Sequence, residues 1–298
     1  MSTSATAGTS SAQRSKRKKE SQFLAIMKRL SRNKLSVLGG IILVIIILSA
    51  VFAPLIAPYG YADMDWEHIL EGPSRIHICG TDNLGRDIFS RLLYGARYSL
   101  ALGFVSVIVS QFFGIILGSV VGYYGGTLEN VVMRILDVIQ SIPGTLLTIT
   151  VATVFGSGFG NTVLALAISH IPGSARNTRA LVLTVRKNEY LEAADACNCS
   201  DFRKIVSHIL PNIISYMIVS FIMATAYTIL QAASLSYIGL GVQPPVPEWG
   251  ALLTSARDYM RDYTYMLIFP CICIALTVLS LNLFGDGLRD AMDPKMKR

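Results

Sequence analysis

Glu189-Tyr-Leu-Glu-Ala-Ala-Asp-Ala-Cys-Asn198-Cys-Ser-Asp-Phe-Arg-Lys-Ile-Val-Ser-His-Ile-Leu-Pro211 is a polar, charge-bearing island between long runs that are almost wholly apolar. Leu191, Ala194 and Cys197 fall on one side of a first helical pattern, and Phe202, Ile205, Ile209 and Leu210 give a second pattern its apolar side. Between them, Asn198 tolerates left-handed backbone, and Ser200 and Asp201 are good helix starters. The expected element is therefore helix, tight turn, helix. A polar hairpin kept in so apolar a chain faces something soluble, although on composition alone it also reads as an ordinary loop.

The rest of the chain sets that island in a membrane. Of 298 residues, 52% are hydrophobic and 15% charged, and the mean hydropathy is +0.50, too apolar for a soluble domain of this size. The net charge of +7 is concentrated at the start. Residues 1–34 hold nine Lys or Arg against the single acid Glu20, so this arm is +8 and the remainder sums to −1. A basic arm directly before an apolar run is explained by retention of positive charge on the cytoplasmic side, which displaces nucleic-acid binding as the reading. The first twelve residues are small and polar and are expected to be disordered. A secretory signal peptide over 1–57 fits poorly, because both the charged region and the apolar run exceed a typical signal.

Leu35–Ile56 is 22 residues without a charge, long enough to cross a hydrocarbon core of about 30 Å, and is the first span. Residues 58–97 form an outside segment in which Ile88, Phe89, Leu92 and Leu93 suggest a short amphipathic helix lying on the outer surface or against the next span. Leu100–Tyr123 is the second span, with Gly114, Gly118 and Gly122 forming one smooth ridge for close helix approach. Val131–Phe155 is the third, interrupted by Pro143-Gly144 and a candidate pathway wall. Asp137 within it is a candidate functional carboxylate, with a local pair to Arg134 as the favoured reading.

Asn161–Pro172 is short for a span. If it did not cross, Arg176, Arg179, Arg186, Lys187, Arg203 and Lys204 would lie outside, against the positive-inside bias, so it counts as a fourth span continuing as helix through Val185. Ile213–Tyr237 is the fifth and Thr264–Phe284, with Pro270 inside, the sixth. Between them the stretch Gly239–Gly250 has three prolines and three glycines, which argues against regular structure, and Trp249 suits an interfacial anchor. The expected architecture is all-α with six transmembrane helices and both termini cytoplasmic. It divides into an arm (1–34), the first helix (35–57), the outside segment (58–97), a five-helix core (98–286) carrying the cytoplasmic loop 186–211, and a tail (287–298).

Chemistry-bearing motifs are few. Five cysteines include two Cys-x-Cys pairs, Cys197/Cys199 and Cys271/Cys273, without zinc partners at useful spacing; they read as incidental thiols. No two of the four histidines, His68, His77, His170 and His208, share a helix face, so no metal is assigned. The chain lacks a Gly-x-x-x-x-Gly-Lys-Ser/Thr loop, so it has no visible cradle for ATP phosphates.

Glu192-Ala-Ala, three residues, Asn198 and then Ile209-Leu-Pro211 resembles the EAA loop of ABC importer permeases, with Asn198 in the place of the usual glycine. Gly80–Arg97, Leu235–Pro245 and Asn282–Pro294 resemble the C-type permease of the dipeptide, oligopeptide and nickel importer family, extending the likeness over residues 30–298. The resemblance implies a type I importer permease fold in the cell membrane and a permease, not an enzyme. It implies peptide as the solute, with nickel, glutathione or another small solute as alternatives. It also implies a second homologous permease as heterodimer partner, two ATPase subunits using ATP and magnesium, an extracytoplasmic solute-binding protein and surrounding lipid; no cofactor is held by the chain itself.

On that resemblance the ATPase-coupling residues are Glu192, Ala193, Ala194, Asp195, Asn198, Ser200, Asp201, Leu210 and Pro211, while Pro143 and Asp137 are pathway candidates by their place within the third span. The rival class is an ion-gradient-driven secondary transporter. It would place ionisable groups near mid-membrane, where all six spans lack Asp, Glu, Lys and Arg.

Overall fold

The computed structural model of the chain describes residues 22–292. The disorder expected of the first twelve residues lies outside that range, as does the chain end after Met292. Helices dominate: α1 (Gln22–Leu30), α2 (Lys34–Val51), α3 (Ala53–Ile56), α4 (Ile88–Tyr124), α5 (Gly126–Gln140), α6 (Gly144–Phe155), α7 (Phe159–Val185), α8 (Glu189–Ala196), α9 (Asp201–Arg203), α10 (Leu210–Tyr237), α11 (Trp249–Ala256) and α12 (Tyr265–Met292). A π-helical turn, Lys204–Ile209, joins α9 to α10 so that 201–237 runs as one helix.

Among the described residues, four helical stretches are long and apolar enough to cross a membrane: α2, α4, the continuous 201–237 helix and α12. The Val131–Phe155 stretch is not one rod. It is split between α5 and α6, which meet at 84°. Pro143 has no N–H to give to a helix and sits at the N-cap of α6, so the break falls where the backbone bond is lost. α7 is a single 27-residue helix despite Pro172 within it, the continuous rod expected from Asn161 to Val185.

The glycine ridge seats α7 against α4. A Cβ on Gly118 would stand 2.7 Å from Cβ of Thr178, and one on Gly122 3.0 Å from Cβ of Val182. Only the absent side chains allow this approach.

Two expectations for the outside segments are corrected. The turn of Ile88, Phe89, Leu92 and Leu93 is no separate surface helix but the first turns of α4, with Ile88 and Leu92 buried. Asp87 caps that helix by accepting from the Ser90 N–H at 2.7 Å, so it extends well beyond its apolar part. Trp249 is not an interfacial anchor; it is 2% exposed and its indole N–H donates to the Leu92 carbonyl at 3.0 Å. Glu248, equally buried, caps α11 through the Gly250 and Ala251 N–H groups at 2.9 Å each and accepts from the Ser99 hydroxyl at 3.0 Å. A satisfied carboxylate thus pins the proline-rich segment to α4.

At the other end α12 does not stop at Phe284 but runs to Met292, where Leu288 and Ala291 pack with Leu30 of α1. α2 is tied in at its C-terminal end, where Arg97 of α4 donates to the Ala50 and Val51 carbonyls at 2.5 and 2.7 Å, a cation meeting the negative end of a helix dipole.

Candidate coupling hairpin

Residues 189–211 fold as the expected helix, turn, helix. α8 ends in a Schellman arrangement: the Cys199 N–H bonds to the Ala194 carbonyl at 3.0 Å and the Asn198 N–H to the Asp195 carbonyl at 2.9 Å. Asn198 carries φ 54°, the left-handed conformation this cap requires. Asparagine tolerates it better than most non-glycine residues, so the turn survives without the usual glycine. Ser200 follows as the N-cap of α9 in extended backbone, although its hydroxyl makes no capping bond.

The π turn then carries the chain toward Pro211. The Leu210 N–H bonds to the Ile205 carbonyl, five residues back, just before the proline that cannot donate. Adding a residue to the turn rotates the helix face between its two sides. Ile209 is fully buried, whereas Phe202, expected on the same apolar side, is 76% exposed. Of the first helix's expected apolar side only Leu191 is buried, while Ala194 is half-buried and Cys197 exposed.

Beneath the hairpin lies a compact apolar seat of Leu191, Val182, Ile209, Ile213 and Met217, fusing it to the ends of α7 and α10. Above it, one cation joins three elements. The ammonium of Lys204, a residue 8% exposed, donates to Asp201 Oδ1 at 2.9 Å, to the Tyr123 hydroxyl at 3.0 Å and to Asp195 Oδ1. The Tyr123 hydroxyl in turn donates to Asp201 Oδ1 at 2.7 Å. Asp195 lies on the first arm, Asp201 and Lys204 on the second, and Tyr123 at the end of α4, so the network braces both arms against the bundle.

The bond to Asp195, followed by those to Tyr123 and Asp201, pushes the Lys204 pKa up, and Lys204 followed by Tyr123 holds Asp201 below the usual carboxylate range.

The site residues expected from sequence therefore divide. Glu192, Ala193, Asn198, Ser200 and Pro211 are exposed, and Ala194 and Leu210 half-buried. Asp195 and Asp201 are engaged inside the brace. Asp137 and Pro143 lie on the α5–α6 arm. Asp137 does not pair with Arg134; it forms an ion pair with Arg176 of α7. The same two helices are joined by Glu129, which accepts two bonds from Arg179, one of them at 2.6 Å from Nε. The arm lies against α7, and the α7 guanidiniums outreach the neighbour on α5's own surface. Lys204 and Tyr123 were missed in the sequence. The only signal was the i, i+3 spacing of Asp201 and Lys204, and nothing there pointed to a tyrosine 81 residues away.

A helical bundle presenting a braced hairpin at the end of apolar spans agrees with the comparisons. Residues 114–298 match the family model described as binding-protein-dependent transport system inner membrane component. Residues 21–73 match the N-terminal TM domain of oligopeptide transport permease C. The chain belongs to the binding-protein-dependent transport permeases. It is 45% identical over 271 residues to the glutathione transport system permease protein GsiD of Pectobacterium atrosepticum, covering 91% of this chain and 90% of that one. It is 41% identical over 284 residues to the dipeptide transport system permease protein DppC of Alkalihalophilus pseudofirmus, covering 93% of each.

The chain is thus a multi-helix membrane permease subunit of an ABC importer, not itself the ATPase, and works with an ATPase and a binding protein.

Proposed function

We propose that this permease forms half of the pathway of an ATP-driven importer for short peptides, with hairpin 189–211 as the element an ATPase subunit moves. The observation that carries the reading is the hairpin itself. It exposes Glu192, Ala193 and the Asn198 turn while its base is fused to α7 and α10 and braced to α4. Small alanines permit close approach in a groove, Glu192 offers a charge to a basic partner, and Phe202 adds an exposed aromatic anchor. Closure of two ATPases, using ATP and magnesium, pushes the hairpin and tilts the helices continuous with it, a rigid-body switch between two states.

In this reading six segments cross: α2, the apolar parts of α4, α10 and α12, the bent α5–α6 pair and α7, with the hairpin outside the bilayer. Both termini, including the arm 1–34 and the end 287–298, are cytoplasmic. The α5–α6 arm, exposing Val131, Ile135, Val138 and Leu146, faces a second, homologous permease chain, with Pro143 at the bend beside the pathway.

Peptide is the favoured solute because the similar proteins are named for a dipeptide and for glutathione, itself a short peptide; nickel or another small solute is the alternative. The importer reconstituted in vesicles with its binding protein should accumulate a labelled dipeptide or glutathione in an ATP-dependent, vanadate-sensitive manner. Uptake driven by an ion gradient without ATP would overturn the proposal.

A further inference from the structure

The segment before α4 folds so that three side chains far from the hairpin converge. One ligand-type atom from each of Asp65, His68 and His77 lies within 4.8 Å of the other two. Asp65 Oδ2 is 2.9 Å from His68 Nδ1 and 3.8 Å from His77 Nε2. The two histidines are nine residues apart on an irregular stretch, so helix periodicity could not have paired them.

His77 is 1% exposed, and its Nε2 has no hydrogen-bond partner. Its other nitrogen, Nδ1, is 3.0 Å from Asp87 Oδ1. Asp87 is itself fixed as the N-cap of α4. A carboxylate accepting from Nδ1–H sets the tautomer and leaves the Nε2 lone pair bare, directed at a second carboxylate. A buried lone pair facing an anionic oxygen is unfavourable unless a proton or a metal ion stands between them. His68 repeats the pattern less tightly, since its Nε2 lies 3.7 Å from Glu71 Oε2. With a metal on Nδ1, His68 takes the Nε2–H tautomer and donates toward Glu71. Each imidazole would then have an outer carboxylate, the arrangement that orients histidine ligands around zinc.

We propose that Asp65, His68 and His77 form a binding site for a divalent transition metal of the zinc class, with Asp87 and Glu71 as the carboxylates that orient the two imidazoles. Two imidazoles and a carboxylate are a borderline N/O donor set that suits zinc and leaves a fourth position for water. Tetrahedral zinc with bonds near 2.05 Å holds its ligand atoms about 3.4 Å apart. The 2.9 and 3.8 Å separations bracket that spacing and the third pair lies within 4.8 Å, so binding requires a small opening of the Asp65–His68 contact and a closing of both histidines' ring nitrogens onto the ion. The partial exposure of Asp65 and His68 gives entry from solvent. Once bound, the ion would cross-link residues 65, 68 and 77, which the His77–Asp87 bond joins to the start of α4. The inference is independent of the hairpin's role and of the transported solute.

The test is titration of the purified full chain in detergent, stripped with chelator, with Co2+ alone. One Co2+ per chain should bind with the visible bands of a tetrahedral site and without the strong near-ultraviolet band of a thiolate ligand, and Zn2+ should displace it. His68→Gln, at a partly exposed ligand, should weaken binding by at least about 10-fold while the chain remains folded, and His77→Gln should abolish it. No saturable binding, a thiolate band, or affinity unchanged in His68→Gln would each overturn the proposal, whether or not His77→Gln folds.

Discussion

The ammonium of Lys204 lies 3.0 Å from the phenol oxygen of Tyr123, joining the second arm of the hairpin to the end of α4 across 81 residues of chain. The same ammonium holds Asp195 and Asp201. In the proposed coupling, force on the hairpin tip would be shared between α10, into which the second arm runs, and α4.

Tyr123→Phe removes a hydroxyl that both donates to Asp201 and accepts from Lys204, at a cost of about 1 kcal/mol. Lys204→Met should be the more severe change, because it releases both carboxylates and the phenol together. In a double-mutant cycle the two substitutions should be strongly non-additive, since each dismantles the same network. The measurement is amide exchange over 189–204 together with ATP-driven uptake. Both variants are expected to raise exchange and lower uptake, Lys204→Met more so.

The pH dependence of that brace follows from its two shifts. Lys204 has its pKa raised above 10.5, so its contribution is fully present below that value and is lost as pH rises through the folded-state pKa. Asp201 has its pKa lowered below 3.8, so its contribution is present above that value and is lost as pH falls through the folded-state pKa. After correction for intrinsic chemical exchange, protection of the hairpin should be flat across the neutral range.

Asn198 at φ 54° is a tolerated occupant of a position that favours glycine. Asn198→Gly should leave uptake intact and stability within about 0.5 kcal/mol. Asn198→Val, which puts a branched Cβ into left-handed backbone, should cost about 1–2 kcal/mol and reduce uptake. Thermal unfolding of the purified chain reads the stability, and vesicle uptake reads the coupling.

The two ion pairs between α5 and α7 should differ in weight. Asp137 and Arg176 are each nearly half exposed, so Asp137→Asn should cost no more than about 1 kcal/mol. Glu129 and Arg179 are more enclosed and doubly bonded, so Glu129→Gln should cost about 1–2 kcal/mol. Unfolding of the two variants side by side provides the comparison.

These residues also mark how far the chain could be read without coordinates. Local patterns were legible. The hairpin with its left-handed Asn198, the glycine ridge on α4 and the break at Pro143 each follow from backbone rules acting over a few residues. What was illegible depended on partners distant in sequence. Asp137 chose Arg176 over Arg134, Trp249 entered the core beside Leu92, and Lys204 found Tyr123, because tertiary packing decided which charges and rings meet. Phe202 was misplaced for a subtler reason, since periodicity assumes an α-helix and the π turn before Pro211 shifts the face. His68 and His77 meet on irregular backbone, where no period applies.

We propose that ATPase force enters through the exposed first arm of the hairpin. The most direct measurement is ATP-driven uptake by the reconstituted importer carrying Glu192→Lys and Ala193→Trp together, which reverses the exposed charge and fills the close-approach surface without touching the brace. Membrane insertion should be preserved and uptake reduced to background. Undiminished uptake by the inserted double variant would show that the force enters elsewhere.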